Sequence, residues 1–451
     1  MPKFIVASGR LGKAPGMKTL VILVVVASAA GAVRPAHGDA GGADRRPVTL
    51  AQVVAAAAKA PAAQVSGQDI AAAEATAAAA SAWPNPSLRV GTNRLTARLI
   101  AGATLPLPIF GTVGAARRVA EAEAQVVRAE GELALRDLRH RVVVAWIQLA
   151  RAQDDLAAQQ VAARQARDLE GVARGRLDAG SGAEVDVTVA IAARARAEVT
   201  AAGAQRTEDA ASGELAGLLG WDPTRPLRAE GAPVVGPAVG GSGPPGGPAG
   251  QPGDATGDAI AALRGRLARH PERAAASRRV AAADASVAQA NAQRWPGLAL
   301  EGELDYDDRS VTEGRTAWDR TDAHVGVSLD LPVFARTGDR ARAAEATARA
   351  QRARLAAIEA ELDGRLYAAY RRWQAAAEQL AALERVVLPA QERAAALSMQ
   401  AYREGARDLS SALVAQRDLA TARAELNDAR ATAALAFAEL AVALGEDVHA
   451  S

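Results

Sequence analysis

The 451-residue sequence contains no cysteine and few aromatic residues, and each absence excludes a class of protein. Without cysteine the chain cannot form a disulfide, a thiolate metal site or a lipid anchor on an N-terminal cysteine. Aromatic residues make up only 3% of the sequence, whereas 49% of residues are hydrophobic and many of these are alanine. Because alanine buries little area, this composition favours long, closely packed helices over a thick globular core.

The charged residues and histidines exclude further functions. The 53 basic and 51 acidic residues include no basic run that could follow a phosphate backbone, so nucleic acid is not an expected partner. The five histidines form no HExxH pair or similar cluster. No nucleophile, metal cluster or phosphate-binding loop is recognisable. We therefore predict no catalytic residue, no metal site, no cofactor and no enzyme activity.

One segment alone is strongly apolar, and it lies at the N-terminus. Two lysines precede an apolar run from Leu20 to Ala30, and Ala30-Gly31-Ala32 offers a small-residue cleavage site. The run is shorter than the roughly 20 residues that a membrane-spanning helix needs. Residues 1–32 are therefore predicted to be a signal peptide for export. A mature protein with no other apolar span could enter a membrane only through strands.

What the chain does have is an internal repeat. The landmarks of the first copy are SAWPNPSL (81–88), LPLPIFGTVGAARRVAEAEA (105–124), VAWIQLARAQDDL (144–156) and ELAGLLG (214–220). Those of the second are QRWPGLAL (293–300), LDLPVFARTGDRARAAEATA (329–348), AAYRRWQAAAEQL (368–380) and ELAVALG (439–445). A repeat of this size indicates a duplicated structural unit that packs beside its copy. We assign 48–221 to the first repeat, 222–257 to a flexible linker rich in glycine and proline, and 258–446 to the second repeat.

Each repeat is predicted to contain a helix, a strand pair and a long helical hairpin. The hairpins turn at residues 178–182 and at Gly405, because glycine commonly ends a helix. Apolar residues follow each other almost entirely at alternating steps of three and four along the second hairpin: Leu355, Ile358, Leu362, Leu366, Ala369, Trp373, Ala376, Leu380, Leu383 and Val387. This spacing is typical of a coiled coil. A helix of about 65 residues would be roughly 95 Å long, enough to cross a compartment.

The predicted strands, 87–94 and 98–107 with a longer pair between 298 and 331, number four in the mature chain. Four strands cannot close into a barrel, and lipid does not tolerate an open sheet edge. We therefore predict that subunits pool their strands, giving eight in a dimer or twelve in a trimer. The apolar faces would meet lipid, and the polar strand residues Glu301, Glu303, His324 and Asp330 would line a wet interior. A soluble sandwich on helical stalks is the alternative.

The chain resembles the TolC-like outer-membrane efflux proteins, above all the outer-membrane components of heavy-metal and drug efflux pumps. The resemblance covers about residues 48–446. It is carried by Trp83-Pro84-Asn85-Pro86, the strand exits LPLPIFG and LDLPVFA, the helix start GTVGAARRVAEAEA, and ELxxxLG closing both copies. It implies a mainly α fold with transmembrane β-structure: a homotrimer with a twelve-stranded outer-membrane barrel and a helical tunnel across the periplasm of a Gram-negative bacterium. Such a passive exit duct would dock onto an inner-membrane transporter of the RND type through a periplasmic adaptor protein.

The resemblance also implies a gate at the two hairpin turns. In the best-known member a tyrosine and an arginine near the second turn bond to an aspartate near the first. Tyr402 and Arg407 flank Gly405 as in that pattern, and Asp186 follows Gly180 where the aspartate would be. The acidic ring of that member is absent here, because Ser411 and Val414 occupy its positions; Asp408 could supply a ring one turn earlier.

Two other classes of protein remain as alternatives. A periplasmic adaptor also combines a helical hairpin with strands, but it carries one hairpin beside a small lipoyl-like domain, whereas this chain has two hairpins. A soluble coiled-coil scaffold would not need the predicted signal peptide or the alternating strands. Finding the protein as a heat-modifiable trimer in outer-membrane extracts would favour the channel over both.

Overall fold

The computed structural model describes residues 45–93, 98–236, 254–307, 321–331 and 337–447. The predicted signal peptide, 1–32, lies outside these ranges, as does the centre of the predicted linker. None of the helices in the described ranges is apolar over a long enough stretch to cross a membrane.

The first repeat contains two short helices, then a strand pair, then a long helical hairpin. Its helices are α1 (Leu50–Ala57), α2 (Pro61–Ala79), α3 (Thr112–Asp178) and α4 (Glu184–Leu219). Helix α1 begins with a capping box between Thr49 and Gln52, and Pro61 opens α2 at a position where no amide donor is needed. The helical segment is thus interrupted before Pro61.

The second repeat follows the same plan. Its helices are α5 (Asp254–Leu267), α6 (Pro271–Ala292), α7 (Thr337–Ala382), α8 (Leu388–Arg403) and α9 (Leu409–Leu444). A π-helical turn over Leu383–Val387 joins α7 to α8, and Pro389 is the second residue of α8. The outgoing helix of the second hairpin is therefore distorted just ahead of the proline.

Both hairpins end at a left-handed glycine that packs on a proline. Gly220 and Gly445 have φ angles of 69° and 72°. A Cβ atom added to Gly220 would lie 2.6 Å from Cδ of Pro61, and one added to Gly445 would lie 2.5 Å from Cδ of Pro271. Only glycine satisfies both the backbone angle and the close approach, so the two repeats share one way of closing the hairpin.

The strands form two sheets. The larger has the order β2-β3-β5-β6, all antiparallel, with β2 at Ser87–Asn93, β3 at Arg98–Leu107, β5 at Gly297–Asp307 and β6 at Thr321–Asp330. Strand β3 of the first repeat pairs with β5 of the second, so the sheet is continuous across both repeats.

The smaller sheet was not predicted. Strand β1 (Arg46–Thr49) pairs in parallel with β4 (Leu227–Glu230), which gives six strands in the described residues instead of the four predicted. Because β4 lies inside 222–257, the predicted linker begins too early; residues up to 236 are part of the described structure. Val48 and Leu227 of this sheet are buried in the main core beside Trp146, whose Nε1 donates to Val48 O at 3.0 Å.

Candidate functional site

The four-stranded sheet separates polar from apolar side chains. Strand pairing aligns Glu301 with Gly326 and Glu303 with His324, and Asp330 lies at the same face opposite Gly297. Since alternate residues of a strand point to opposite sides, all four residues predicted to be lumen-facing share one face. All four are exposed in the single chain. That they line a lumen stays a prediction.

The opposite face of the sheet is apolar and equally uncovered. Its large exposed side chains are Leu88, Val90, Leu99, Leu105, Leu300, Leu304, Tyr306, Val325, Val327 and Leu329. Val325, on this apolar face, is 81% exposed. The adjacent residue His324 lies on the polar face. A contiguous apolar face of this size requires either lipid or protein to cover it. Within the described strands, β2 and β6 also each pair on one side only.

Aromatic residues mark the junction between this sheet and the helices. Phe110 follows β3 and Trp295 precedes β5; their rings stack with centroids 5.7 Å apart and planes inclined by 10°. Trp83, which precedes β2, and Trp295 are more than half exposed. Exposed tryptophans at the end of an apolar band are typical of a membrane–water interface.

At the other end of the hairpins, two glycine turns lie side by side. Gly180 and Gly405 have φ angles of 72° and 76°, so both turns use the left-handed conformation that glycine permits. A small hydrophobic cluster, called the tip cluster below, lies behind them. It contains the buried residues Leu169, Ala173, Ala190, Tyr402, Leu409 and Ala412, from both hairpins.

Tyr402 is the largest side chain of the tip cluster and is 1% exposed. Its hydroxyl has no hydrogen-bond partner among the described residues. Burial raises the pKa of this hydroxyl, the carboxylate of Asp186 raises it further, and Arg176 lowers it in part. The hydroxyl is therefore a neutral donor at physiological pH, with Asp186 close enough to influence it electrostatically.

The other predicted gate residues are less enclosed. Arg407 is exposed, and its side chain forms no hydrogen bond or ion pair with a described residue. Asp186 lies half-buried in the first turn of α4, where a negative charge suits the helix dipole. The bonds predicted from Tyr402 and Arg407 to Asp186 are not formed within one chain, and they stay a prediction for the assembled protein.

Asp408 is the N-cap of α9. Its carboxylate accepts hydrogen bonds from the backbone and hydroxyl of Ser411 and from the hydroxyl of Ser410. The hydroxyls of Ser410 and Ser411 lower the pKa of Asp408 to about 2, so the residue stays charged at the tip. Its position has a structural reason, and an acidic ring formed by its copies stays a prediction.

The residue that joins the two turns was not predicted. Arg176, in the last turn of α3, donates from Nη1 to the backbone oxygen of Tyr402 at 2.8 Å. Its guanidinium carbon lies 4.8 Å from the centroid of the Tyr402 ring, and Nη2 donates to Ser181 O at 3.3 Å. A sequence signal existed, since basic residues favour the last turn of a helix. Its partner, a carbonyl 226 residues away, has no sequence signal.

A cavity of about 300 Å³ lies far from both sites, where α9 ends beside α3 and the start of α6. It is lined by Arg136, Arg139, His140, His270 and Asp447, among others. Arg139 pairs with Asp447 at 2.8 Å, and Arg136 donates to the carbonyl of Gly445. Burial lowers the pKa of His140. These contacts connect the first hairpin to the end of the second, and none of the predicted site residues lies here.

Comparison with known proteins identifies the class of fold. The sequence profile of the family described as outer membrane efflux protein matches residues 53–221 and 263–446. These segments coincide closely with the two repeats. A comparison with curated proteins finds no match.

Several solved structures of membrane proteins have a similar fold. The outer-membrane channel OprN is 24% identical, with a TM-score of 0.70 over 88% of this chain and 89% of its own. The outer membrane protein VceC of Vibrio cholerae is 19% identical, with a TM-score of 0.67 over 89% of this chain and 97% of its own. CusC, described as forming a transmembrane channel, is 17% identical, with a TM-score of 0.70 over 88% and 92%.

Proposed function

Because the chain belongs to the outer membrane efflux protein family, we propose that three copies form one continuous exit duct. The protein is an outer-membrane channel of an efflux system. In the proposed trimer each copy contributes its four-stranded sheet to a twelve-stranded barrel, and its two hairpins to a tunnel across the periplasm. The alternatives, a periplasmic adaptor and a coiled-coil scaffold, are not favoured, since the family profile covers both repeats.

The observation that carries the proposal is the separation of the sheet faces. One face presents Glu301, Glu303 and His324, and the other presents leucine and valine to the surroundings. The unpaired edges, β2 and β6, supply the donors and acceptors that a neighbouring copy would need. Pooling three sheets satisfies both edges and places the apolar faces against lipid, with the polar faces around water.

The apolar band has nearly the height of the apolar band of outer-membrane barrels. Leu298 and Tyr306 lie on the apolar face of β5, eight residues apart. At about 3.3 Å per residue and a tilt of about 40°, this separation spans roughly 20 Å, close to the known apolar band of about 25 Å. Trp83 and Trp295 would then lie at the periplasmic interface.

For the other end of the duct we propose the gate and the partners implied by the family. Tyr402, Arg407 and Asp186 lie at the tip, where three copies would converge. The outward-facing side chain of Arg407 is available to a neighbouring copy. A periplasmic adaptor would connect this tip to an inner-membrane transporter, which we propose to be of the RND type.

Two adjacent residues of β6 test the orientation of the sheet. Val325→Arg places a charge on the apolar face and should cost about 2–4 kcal/mol near the middle of a bilayer. We expect little heat-modifiable trimer in outer-membrane extracts. His324→Arg places the same charge on the polar face; this variant should assemble and shift the ion selectivity of the reconstituted channel toward anions. Equal assembly of both variants, or a soluble periplasmic monomer for the unmodified protein, would contradict the proposal.

The gate has its own test in Arg407→Ser. If Arg407 bonds to a neighbouring copy, its removal should raise the conductance of the reconstituted channel in planar bilayers. Unchanged conductance would remove Arg407 from the gate without affecting the assignment of the sheet.

A further inference from the structure

We propose that Arg176 fastens the two hairpins of each protomer to one another at the tip, and that opening the duct requires this contact to break. The contact of the Arg176 guanidinium with the carbonyl and ring of Tyr402 is called the Arg176 clasp below. The inference rests on the proposed function, because it concerns the closed end of the same duct.

The geometry of the clasp suits arginine specifically. One nitrogen of the guanidinium donates to Tyr402 O, another donates to Ser181 O, and the flat group lies over the tyrosine ring. A planar fork can make two hydrogen bonds and stack on a ring at the same time, which a lysine ammonium cannot do. Arg176 therefore connects its own turn to both the backbone and the side chain of the other hairpin.

Among the described residues, few other polar contacts join the two hairpins near the tip. Among the described residues, the next polar contacts between them are Arg151 with Asp428, at 3.0 Å, and Asn427 with Asp155, at 3.0 Å. From Asp155 to Arg176 the helix α3 extends about 30 Å at 1.5 Å per residue. Over that length the described residues of the two hairpins meet through apolar contacts, and the Arg176 clasp is the polar connection at its end.

The ring of Tyr402 links the clasp to the tip cluster. Its atoms are almost completely buried between α3, α4 and α9. If α8 and α9 move away from the first hairpin, the ring must leave Leu169, Ala173 and Ala190 of the tip cluster as well as the guanidinium. The clasp therefore adds directly to the free energy of opening, whereas Arg407, exposed and without a partner in the described chain, cannot do so within one protomer.

The test compares three arginine variants of the full chain. Arg176→Gln removes the charge and the fork, Arg176→Lys keeps the charge and one hydrogen bond, and Arg403→Gln removes an exposed tip arginine as the matched control. We expect Arg176→Gln to raise the open fraction roughly tenfold, since a charged hydrogen bond and a cation–π contact are lost. Arg176→Lys should lie between, and Arg403→Gln should match the unmodified channel.

A second measurement separates opening of the tip from loss of structure. Ala412 is 1% exposed in the tip cluster, and the chain has no native cysteine, so Ala412→Cys introduces a unique buried thiol. Its reaction with a methanethiosulfonate reagent should be slow alone, fast together with Arg176→Gln, and intermediate with Arg176→Lys. A heat-modifiable trimer in every variant confirms that assembly is intact.

The outcomes are distinct. Conductance and thiol reactivity that are unchanged in Arg176→Gln, in a protein that forms channels, would overturn the clasp and leave the duct in place. An equal rise in Arg403→Gln would also overturn it, because any tip charge would then suffice. Failure of the unmodified protein to conduct would instead overturn the proposed function.

Discussion

The two hairpins of the chain have return helices of equal length, but only one of the two outgoing helices is continuous. Helices α4 and α9 each have 36 residues. Helix α3 is continuous over 67 residues, whereas its counterpart consists of 46 residues in α7, a π-turn of 5 residues and 16 residues in α8. The two repeats therefore have matching return helices, and they differ in whether the outgoing helix is continuous.

The register of the repeat explains the difference. Leu156 and Leu380, both buried, are 224 residues apart, whereas the turn glycines Gly180 and Gly405 are 225 apart. The second hairpin therefore has one extra residue between these points, and the π-turn at Leu383–Val387 lies there. A π-turn is wider than an α-turn by one residue, so it absorbs the insertion and returns the helix to its former phase.

The two repeats therefore share the same packed helix faces but differ in the stiffness of the outgoing helix. Glu384 of the π-turn pairs with Arg430 of α9 at 2.9 Å, so the distortion remains tied to its own hairpin. In the first hairpin, the buried Glu170 pairs with Arg194 across two uninterrupted helices at 2.7 Å. The second hairpin is therefore the one with a site for local bending.

Deleting one residue from each hairpin in turn should produce the largest difference between the two hairpins. Removal of Arg164, an exposed residue of α3, rotates the rest of that helix by about 100° and turns Leu169 and Ala173 away from the tip cluster. Removal of Val386 from the π-turn should instead restore a continuous α-helix. Hydrogen exchange at the tip should be fast in the first variant and near normal in the second. Equal loss of protection would refute the idea that the π-turn absorbs an insertion.

Truncating one large residue at matched positions should have the next largest effect. Trp146 and Tyr370 are 224 residues apart, and Trp146 is 1% exposed while Tyr370 is half-buried. We expect Trp146→Ala to cost about 3–5 kcal/mol of unfolding free energy. Tyr370→Ala should cost clearly less, because its side chain retains contact with water. The midpoint of trimer dissociation in denaturant measures both, and a larger loss for Tyr370→Ala would contradict the assignment of the main core.

The closing glycines should show no difference between the repeats. Gly220→Ala and Gly445→Ala each force a Cβ against a proline ring at a left-handed residue, which should cost at least about 1 kcal/mol. Gly217→Ala, in an open position within α4, serves as the control and should stabilise by about 0.5–1 kcal/mol. The temperature at which the trimer dissociates ranks the stability of the three variants. Unequal losses of stability in Gly220→Ala and Gly445→Ala would contradict the equivalence of the two repeats at this position.

The smallest effect concerns the helix caps at the tip. Asp408 caps α9, whereas Ala183 at the same place in the first hairpin gives α4 no side-chain cap. Asp408→Ala should accelerate hydrogen exchange in the first turn of α9, and Ala183→Asp should slow it in α4 by an amount that reflects about 1 kcal/mol.

The pH dependence of the same turn checks the mechanism. Hydrogen bonds from Ser410 and Ser411 lower the pKa of Asp408 to about 2, below an unfolded value of about 3.9. Its contribution to stability is therefore complete above about pH 4 and disappears as the pH falls through about 2. If exchange in the first turn of α9 changed near pH 6 instead, another group would have to be responsible.

Sequence reasoning located the repeat, the hairpins and the large sheet because each has a long periodic signal. Strands β5 and β6 alternate polar and apolar residues over ten positions or more, and the glycine turns stand out. Strands β1 and β4 were missed because four residues give no measurable period, and their parallel pairing joins segments far apart in the chain. Arg176 was missed because its partner is a main-chain carbonyl, which every residue possesses.

The position of the Arg176 clasp within a single chain has a consequence for how current would flow. Arg176 and Tyr402 belong to the same polypeptide, so each subunit has its own Arg176 clasp and can open it independently of its neighbours. A trimer with three independent clasps should pass through partly open states of intermediate conductance. Single-channel recordings should therefore show discrete conductance sub-levels, whereas a contact shared between subunits would produce a single all-or-none opening step.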